Sequence, residues 1–238
     1  MEVLKIEGLK KRYSKKSNLV LQGISLSSCE GEIVGLLGHN GAGKSTVIKC
    51  MEGVLPFEEG TISIMGKDIK KDAVNAKKNM GFVTDNHAVF TAMTGVEYVN
   101  FLADIYGVNT ADRKERLQKL QDVFRLGDPI YNLISSYSHG MKQKISMIGS
   151  LIHQPKLWVL DEPMLGLDPI TMNAVIDYMK SYAKAGNSIV FSSHNLNTVQ
   201  KLCDRVVIIN KGTVVLNVNL LEAEKEGKNI EEIFLNEY

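Results

Sequence analysis

Cysteine is scarce in this 238-residue chain, with Cys29, Cys50 and Cys203 alone. An odd number without a CxxC pair excludes a disulfide framework and a zinc ribbon, and predicts reduced, packed thiols. A surplus of one charge is missing too. Lys+Arg number 28 and Asp+Glu 27, for a formal net charge of +1. The balance argues against a generally basic nucleic-acid protein; the local run Lys10, Lys11, Arg12, Lys15 and Lys16 reads as a solvated loop rather than a nucleic-acid patch, and no nucleic-acid partner is expected. No apolar run approaches the ~18 residues that cross a bilayer. The longest, at 33–37, 157–160 and 206–209, are strand-sized. The N-terminus lacks a basic region followed by an apolar core, so no signal peptide is expected. If the protein acts at a membrane, another chain must cross it. Repeats and low-complexity linkers are also lacking. At 44% hydrophobic and 23% charged residues, the chain is too apolar to be disordered.

What is present alternates between strand and helix signals. Strands are expected at 2–9, 19–27, 33–37, 61–65, 80–84, 157–161, 188–192, 205–210 and 213–218. The runs at 33–37 and 157–161 are apolar enough to be buried on both faces. Helices are expected at 44–52, through much of 94–127, at 171–185 with Gly186 as its left-handed cap, and from the mid-190s to about 203. Leu117, Leu120 and Phe124 fall at i, i+3 and i+7, with Thr110 as the candidate N-cap. The alternation predicts an α/β fold with a mostly parallel sheet and helices on both faces. A helical insert at about 88–153 interrupts it. A tail at about 219–238, with Glu222, Glu224, Glu226, Glu231 and Glu232, reads as a solvated helix. Trp158 and the methionines read as core.

Gly38-His39-Asn40-Gly41-Ala42-Gly43-Lys44-Ser45 fits G-x-x-x-x-G-K-[ST], between a predicted strand and a predicted helix. Glycines let successive N–H groups wrap phosphates, and the helix N-terminus adds partial positive charge. Lys44 would reach the β- and γ-phosphates and the Ser45 hydroxyl would bind Mg²⁺. The competing reading, a Gly-rich turn with a chance lysine, does not account for the flanking strand and helix. A second strand, Leu157-Trp158-Val159-Leu160-Asp161-Glu162, puts Asp161 at its C-terminal end, where open α/β sheets bind ligands. Asp161 would hold the Mg²⁺ shell and Glu162 would polarise a water. Nucleoside triphosphate binding follows. GTP is disfavoured: Asn210-Lys211-Gly212-Thr213 lacks the carboxylate that reads guanine and reads as a hairpin turn.

Tyr137-Ser138-His139-Gly140-Met141-Lys142-Gln143 resembles the LSGGQ signature of ATP-binding-cassette (ABC) ATPases. Gly166-Leu167-Asp168 resembles their D-loop, His194 their switch histidine and Tyr13 the aromatic that stacks on adenine. The resemblance spans essentially the whole chain and implies one ABC ATPase domain over 1–238. It implies a P-loop NTPase core, an N-terminal antiparallel β lobe and an inserted helical lobe. It further implies a head-to-tail dimer with a second ATPase subunit, in which ATP lies between one subunit's cradle and the other's signature. Tyr13, the cradle from Gly38 through Thr46, and Ser138, Gly140 and Asp168 would bind ATP. Glu162, His194 and Lys44 would be catalytic, with Ser45, Asp161 and Asp85 around Mg²⁺. Asp85 stands where the family carries the Q-loop glutamine. His139 replaces a signature glycine and reads as a solvent-side substituent. Met141 replaces the signature glutamine and His39 a cradle proline. The variants resemble the bacterial exporter (ABC-2 type) branch. A separate membrane permease is implied, docked near 85–106 on the cytoplasmic face. A single cassette argues against a two-cassette translation factor. The separation of 117 positions between Lys44 and Asp161 leaves no room for the long coiled-coil arms of a DNA-repair cassette. A non-hydrolysing, ATP-bound regulatory module is the remaining alternative, against which Lys44, Asp161, Glu162 and His194 argue.

Overall fold

The computed structural model describes residues 1–84, 90–227 and 229–236. Five-residue strand β3 (Ile33–Leu37) is buried along its whole length. Its side chains divide between two cores. Ile33 and Leu37 pack on one side of the sheet, and Val34 and Leu36 on the other. Neighbouring strands β7 (Leu157–Asp161) and β8 (Ser188–Ser193) divide in the same way. Trp158, Leu160, Ile189 and Phe191 face one core, and Leu157, Val159 and Val190 the other. This period-2 split of continuous apolar runs is what a sheet covered on both faces demands.

With β6 (Met80–Val83), β9 (Arg205–Asn210) and β10 (Thr213–Asn219), these strands form a sheet ordered β10-β9-β3-β8-β7-β6. Every pairing is parallel except the β9–β10 hairpin, turned at Lys211 and Gly212. A second, wholly antiparallel sheet joins β1 (Glu2–Lys11), β2 (Leu21–Cys29), β4 (Glu59–Ile64) and β5 (Lys67–Asp68), ordered β2-β1-β4-β5. It closes over one core together with α1 (Lys44–Met51). Helix α2 (Ala73–Lys78) follows β5. The α/β class, the mostly parallel sheet and the antiparallel N-terminal sheet are thus as expected.

Between β6 and β7 lie α3 (Gly95–Ile105), α4 (Thr110–Phe124), two short 3-10 turns and α5 (His139–Leu151). They cover the other core, with α6 (Pro169–Lys184) and α7 (Leu196–Leu202). Trp158 lies at its centre. Its indole N–H donates to Ser150 Oγ at 2.9 Å, and Phe124, Tyr178 and Tyr182 meet its ring edge-on. Leu120 and Phe124 are buried, with Leu117 packed beside them, as their spacing predicts.

Four expectations change. The stretch at 94–127 is two helices, parted at Gly107 (φ +69°), and the cap of α4 is Asn109, whose Oδ1 accepts from Asp112 N–H at 2.9 Å. Thr110 is instead the first helical residue. Cys29 is exposed, while Cys50 and Cys203 are buried. Met1 is 70% exposed, unlike the core methionines Met51, Met147 and Met179. The acidic tail is two short helices, α8 (Leu220–Lys225) and α9 (Ile230–Asn236). Their glutamates face solvent, but Ala223, Ile230 and Phe234 are buried against the core.

Candidate nucleotide site

The loop after β3 turns into α1 through Gly41 (φ +81°) and Gly43 (φ +115°), left-handed conformations that favour glycine. Gly38 is required for another reason. A Cβ there would stand 2.3 Å from the Ile209 carbonyl oxygen of β9. The loop is thereby pressed against β9 of the sheet. Tyr13, His39, Asn40, Gly41, Gly43, Lys44, Ser45, Thr46 and Glu162 line a single cleft of about 410 Å³. Gly38 and Ala42 are buried and do not line it. Val20 and Leu165 complete the lining, and sequence reading did not single them out.

Lys44 is 5% exposed. Its ammonium donates to the carbonyls of Gly38 at 2.6 Å and His39 at 3.2 Å. Burial lowers its pKa, and the charges of Glu162 and Asp161 act against that fall. Tyr13 presents an exposed ring, and its hydroxyl shares a 3.1 Å hydrogen bond with Thr46 Oγ1. Phenol and cradle are therefore directly joined. His39 is not idle. Its Nδ1 lies 2.7 Å from the Asn40 carbonyl and its Nε2 2.9 Å from Asn210 Oδ1, joining the cradle to the end of β9.

Across the cleft, β7 ends on Asp161, which is 2% exposed. Ser192 Oγ of β8 donates to Asp161 Oδ1 at 2.5 Å and accepts the Glu162 N–H at 3.0 Å. One serine thus fixes both predicted carboxylate positions. Glu162 itself has φ +48°, strained for a side chain of its type. His194 Nδ1 lies 3.0 Å from Glu162 Oε1, so residues 32 apart in sequence form one pair.

Ser138, Gly140 and Asp168 do not line this cleft. Ser138 caps α5, with its Oγ accepting from Met141 N–H at 3.3 Å. A Cβ at Gly140 would stand 2.6 Å from the Gly166 carbonyl oxygen. The exposed His139 is not directed purely to solvent, because its ring edge packs against Gly166: a Cβ there would come 2.4 Å from His139 Cδ2. Asp168 caps α6. Its oxygens accept from Thr171 N–H at 2.9 Å and Thr171 Oγ1 at 2.6 Å, and Lys144 Nζ lies 3.6 Å away. The Thr171 bonds, with Lys144 adding its charge, hold the Asp168 carboxyl down at about 2. Asp85 lies outside the described residues.

Residues 21–165, more than half of the chain, match the family described as "ABC transporter". The chain belongs to the ABC transporter ATPases. It is 35% identical over 213 residues to the Linearmycin resistance ATP-binding protein LnrL of Bacillus subtilis, covering 90% of this chain and 68% of that one. It is 29% identical over 239 residues to the Methionine import ATP-binding protein MetN of Clostridium acetobutylicum, covering 98% and 71%. A solved structure described as the ATP binding subunit of an ABC transporter superposes with a TM-score of 0.92 at 29% identity, covering 98% of each chain. The architecture is accordingly the P-loop NTPase fold of ABC ATPases, a family that binds ATP and powers transport.

In this ABC ATPase the cradle residues and Glu162 come together in one cleft, the signature and D-loop residues lie apart from it, and residues held by distant chain contacts escape notice. Ser192 gave no signal beyond a small polar residue at a strand end. Gln143 and Lys144, which tie the signature helix to residues 163–168, were assigned no role by the motif itself.

Proposed function

We propose that this nucleotide-binding subunit hydrolyses ATP at a two-subunit interface and drives export through a separate membrane permease. The observation that carries the proposal is the convergence of Lys44, Ser45 and Glu162 on one cleft, with His194 hydrogen-bonded to Glu162. Loop amides and the N-terminus of α1 would receive the phosphates. Lys44 would exchange its carbonyl partners for β- and γ-phosphate oxygens. Tyr13 would stack on the adenine. A hydroxyl (Ser45) and a buried carboxylate (Asp161) suit Mg²⁺, which binds through few protein oxygens plus phosphates and keeps several waters. Among the described residues no group of three or more acidic, His or Cys side chains forms a self-sufficient metal cage. When bound, Mg²⁺ would neutralise charge on the β- and γ-oxygens. Glu162 would orient the attacking water and take its proton, and His194, hydrogen-bonded to Glu162, would sense the γ-phosphate.

Ser138 stands exposed at the start of α5 with Gly140 half-buried beside it, away from the chain's own cleft. That placement suits contact with a partner subunit's ATP, where the helix dipole favours an anion. Asp168 would link the two sites. Among the described residues no helix is long and apolar enough to cross a membrane, so a permease would supply the pathway. Its proposed dock is the apolar face around α3, where Phe90, Phe101 and Ile105 are exposed and the Phe90 and Phe101 rings meet edge-on at 5.4 Å. Docked there, the chain would sit on the cytoplasmic face, where ATP is supplied. The resistance named for LnrL supports export. The import named for MetN makes direction a question for transport itself.

Phosphate release per subunit, measured against protein concentration with Mg²⁺ and ATP, tests the composite site. Turnover is expected to rise more steeply than linearly as dimers form. A concentration-independent rate per subunit would overturn the shared site. ATP-driven uptake of a cargo into inverted vesicles carrying the permease checks direction, and efflux from them would overturn export.

A further inference from the structure

The first turns of α5 hold the segment that follows Glu162 at three points. Gly140 and the His139 ring abut Gly166, Lys144 faces Asp168, and Gln143 reaches Pro163. The third contact is the buried one. Gln143 is 0% exposed, and its Nε2 donates to the Pro163 carbonyl at 2.9 Å. Its Oε1 has no hydrogen-bond partner among the described residues. A buried amide that satisfies only one of its two ends is not explained by packing, because an apolar side chain of the same length would fill the space without an orphaned oxygen.

What the amide holds is informative. Pro163 immediately follows Glu162, whose φ of +48° leaves its direction dependent on the backbone around it. On the N-terminal side, Ser192 Oγ fixes the Glu162 N–H. On the C-terminal side, Gln143 fixes the next carbonyl. We infer that Gln143 is a positioning residue for Glu162, acting through the Pro163 carbonyl and tying the base to the helix whose first turn carries Ser138 and Gly140. The inference rests on the proposed role of Glu162 as base. Under that reading α5 faces the partner's ATP while Gln143 steadies the base for the chain's own ATP. A shift of α5 then reaches both nucleotides through one hydrogen bond.

The test compares wild type, Gln143→Met and Gln143→Glu as full chains with the permease, measuring kcat for Mg²⁺-ATP and equilibrium binding of a fluorescent ATP analogue. Met keeps the length and loses the donor. Its kcat is expected to fall roughly 10–100-fold, the cost of a misplaced catalytic group, with analogue affinity changed less than about twofold and the thermal midpoint close to wild type. A buried Glu takes up a proton more readily than an exposed one and then donates an O–H. The activity of Gln143→Glu relative to Gln143→Met is therefore expected to rise as pH falls from about 8 to about 6. A wild-type kcat in Gln143→Met, or parallel pH profiles for the two variants, overturns the positioning role while leaving hydrolysis intact. Absence of turnover in the wild type with its permease overturns the hydrolysis reading and this inference together.

Discussion

The phosphate cradle and the signature turn face ATP in the proposed assembly, yet they are built in opposite ways. Lys44, Thr46 and Asp161 are 5%, 7% and 2% exposed, set into the sheet by β3, β7 and β8. Ser138 and His139 are exposed, and their turn is held by a helix cap and by the backbone of residues 163–168. The cradle can be complete within one chain because its glycines and its lysine are neighbours in sequence. The signature turn has a firm rear side and an open front, the form expected of a surface completed by another subunit. A binding half and a contact half should respond differently to mutation.

The largest separation should come from Glu162→Gln. It keeps the cleft's shape and removes the base, so turnover should fall about 10²–10⁴-fold with ATP binding retained. Parallel rate and binding measurements check this, and retention of normal turnover would remove Glu162 from the mechanism. Gly140→Ala probes the contact half. Its Cβ would collide with the Gly166 carbonyl, so the turn must shift. Hydrolysis should drop roughly 10–100-fold, while a fluorescent nucleotide binds the isolated subunit normally. An equal loss of subunit binding would erase the division between the halves.

Tyr13→Ala returns to the cradle. Loss of a stacked ring is worth about 1–3 kcal/mol, or roughly tenfold in ATP affinity. Tyr13→Phe should cost much less, since only the bond to Thr46 goes. Competition binding against a nucleotide that lacks the base separates stacking from a general loosening of the loop. The smallest effect is at Asp168. Folding lowers its pKa to about 2 from an ordinary 3.8. The native carboxylate bonds therefore add stability above pH ~4, and that contribution is lost as pH falls through about 2. In Thr171→Ala the side-chain bond is gone, and the carboxyl should titrate closer to its ordinary value. Carboxyl NMR titration reads this directly, and an unchanged midpoint would assign the shift to the remaining partners.

The same division governs how much could be read from the sequence. β3, β7 and β9 are found residue for residue, because a strand buried on both faces is an uninterrupted apolar run. The cradle is legible because its chemistry lies in eight consecutive residues. β5 and α2 escape because a two-residue strand and a Lys-rich helix with one buried side chain, Ala76, have no periodic face. The tail misleads because five glutamates hide three apolar anchors. At α4 two adjacent residues could both cap, and the choice falls to Asn109, whose oxygen meets the Asp112 N–H. Ser192 and Gln143 act 20–31 residues away along the chain. Partners at such distances are set by strand order and by the seating of α5, which no local pattern encodes.

The strand that carries the cradle also has a consequence for how the molecule opens. Because β3 contributes alternate side chains to both cores, neither core can melt while the other keeps that strand intact. Amide hydrogen exchange at Val34 through Leu36 should therefore occur only through global opening. The tail helices and the 3-10 turns can exchange by local fraying. The nucleotide loop is thus hung from the slowest-exchanging part of the chain.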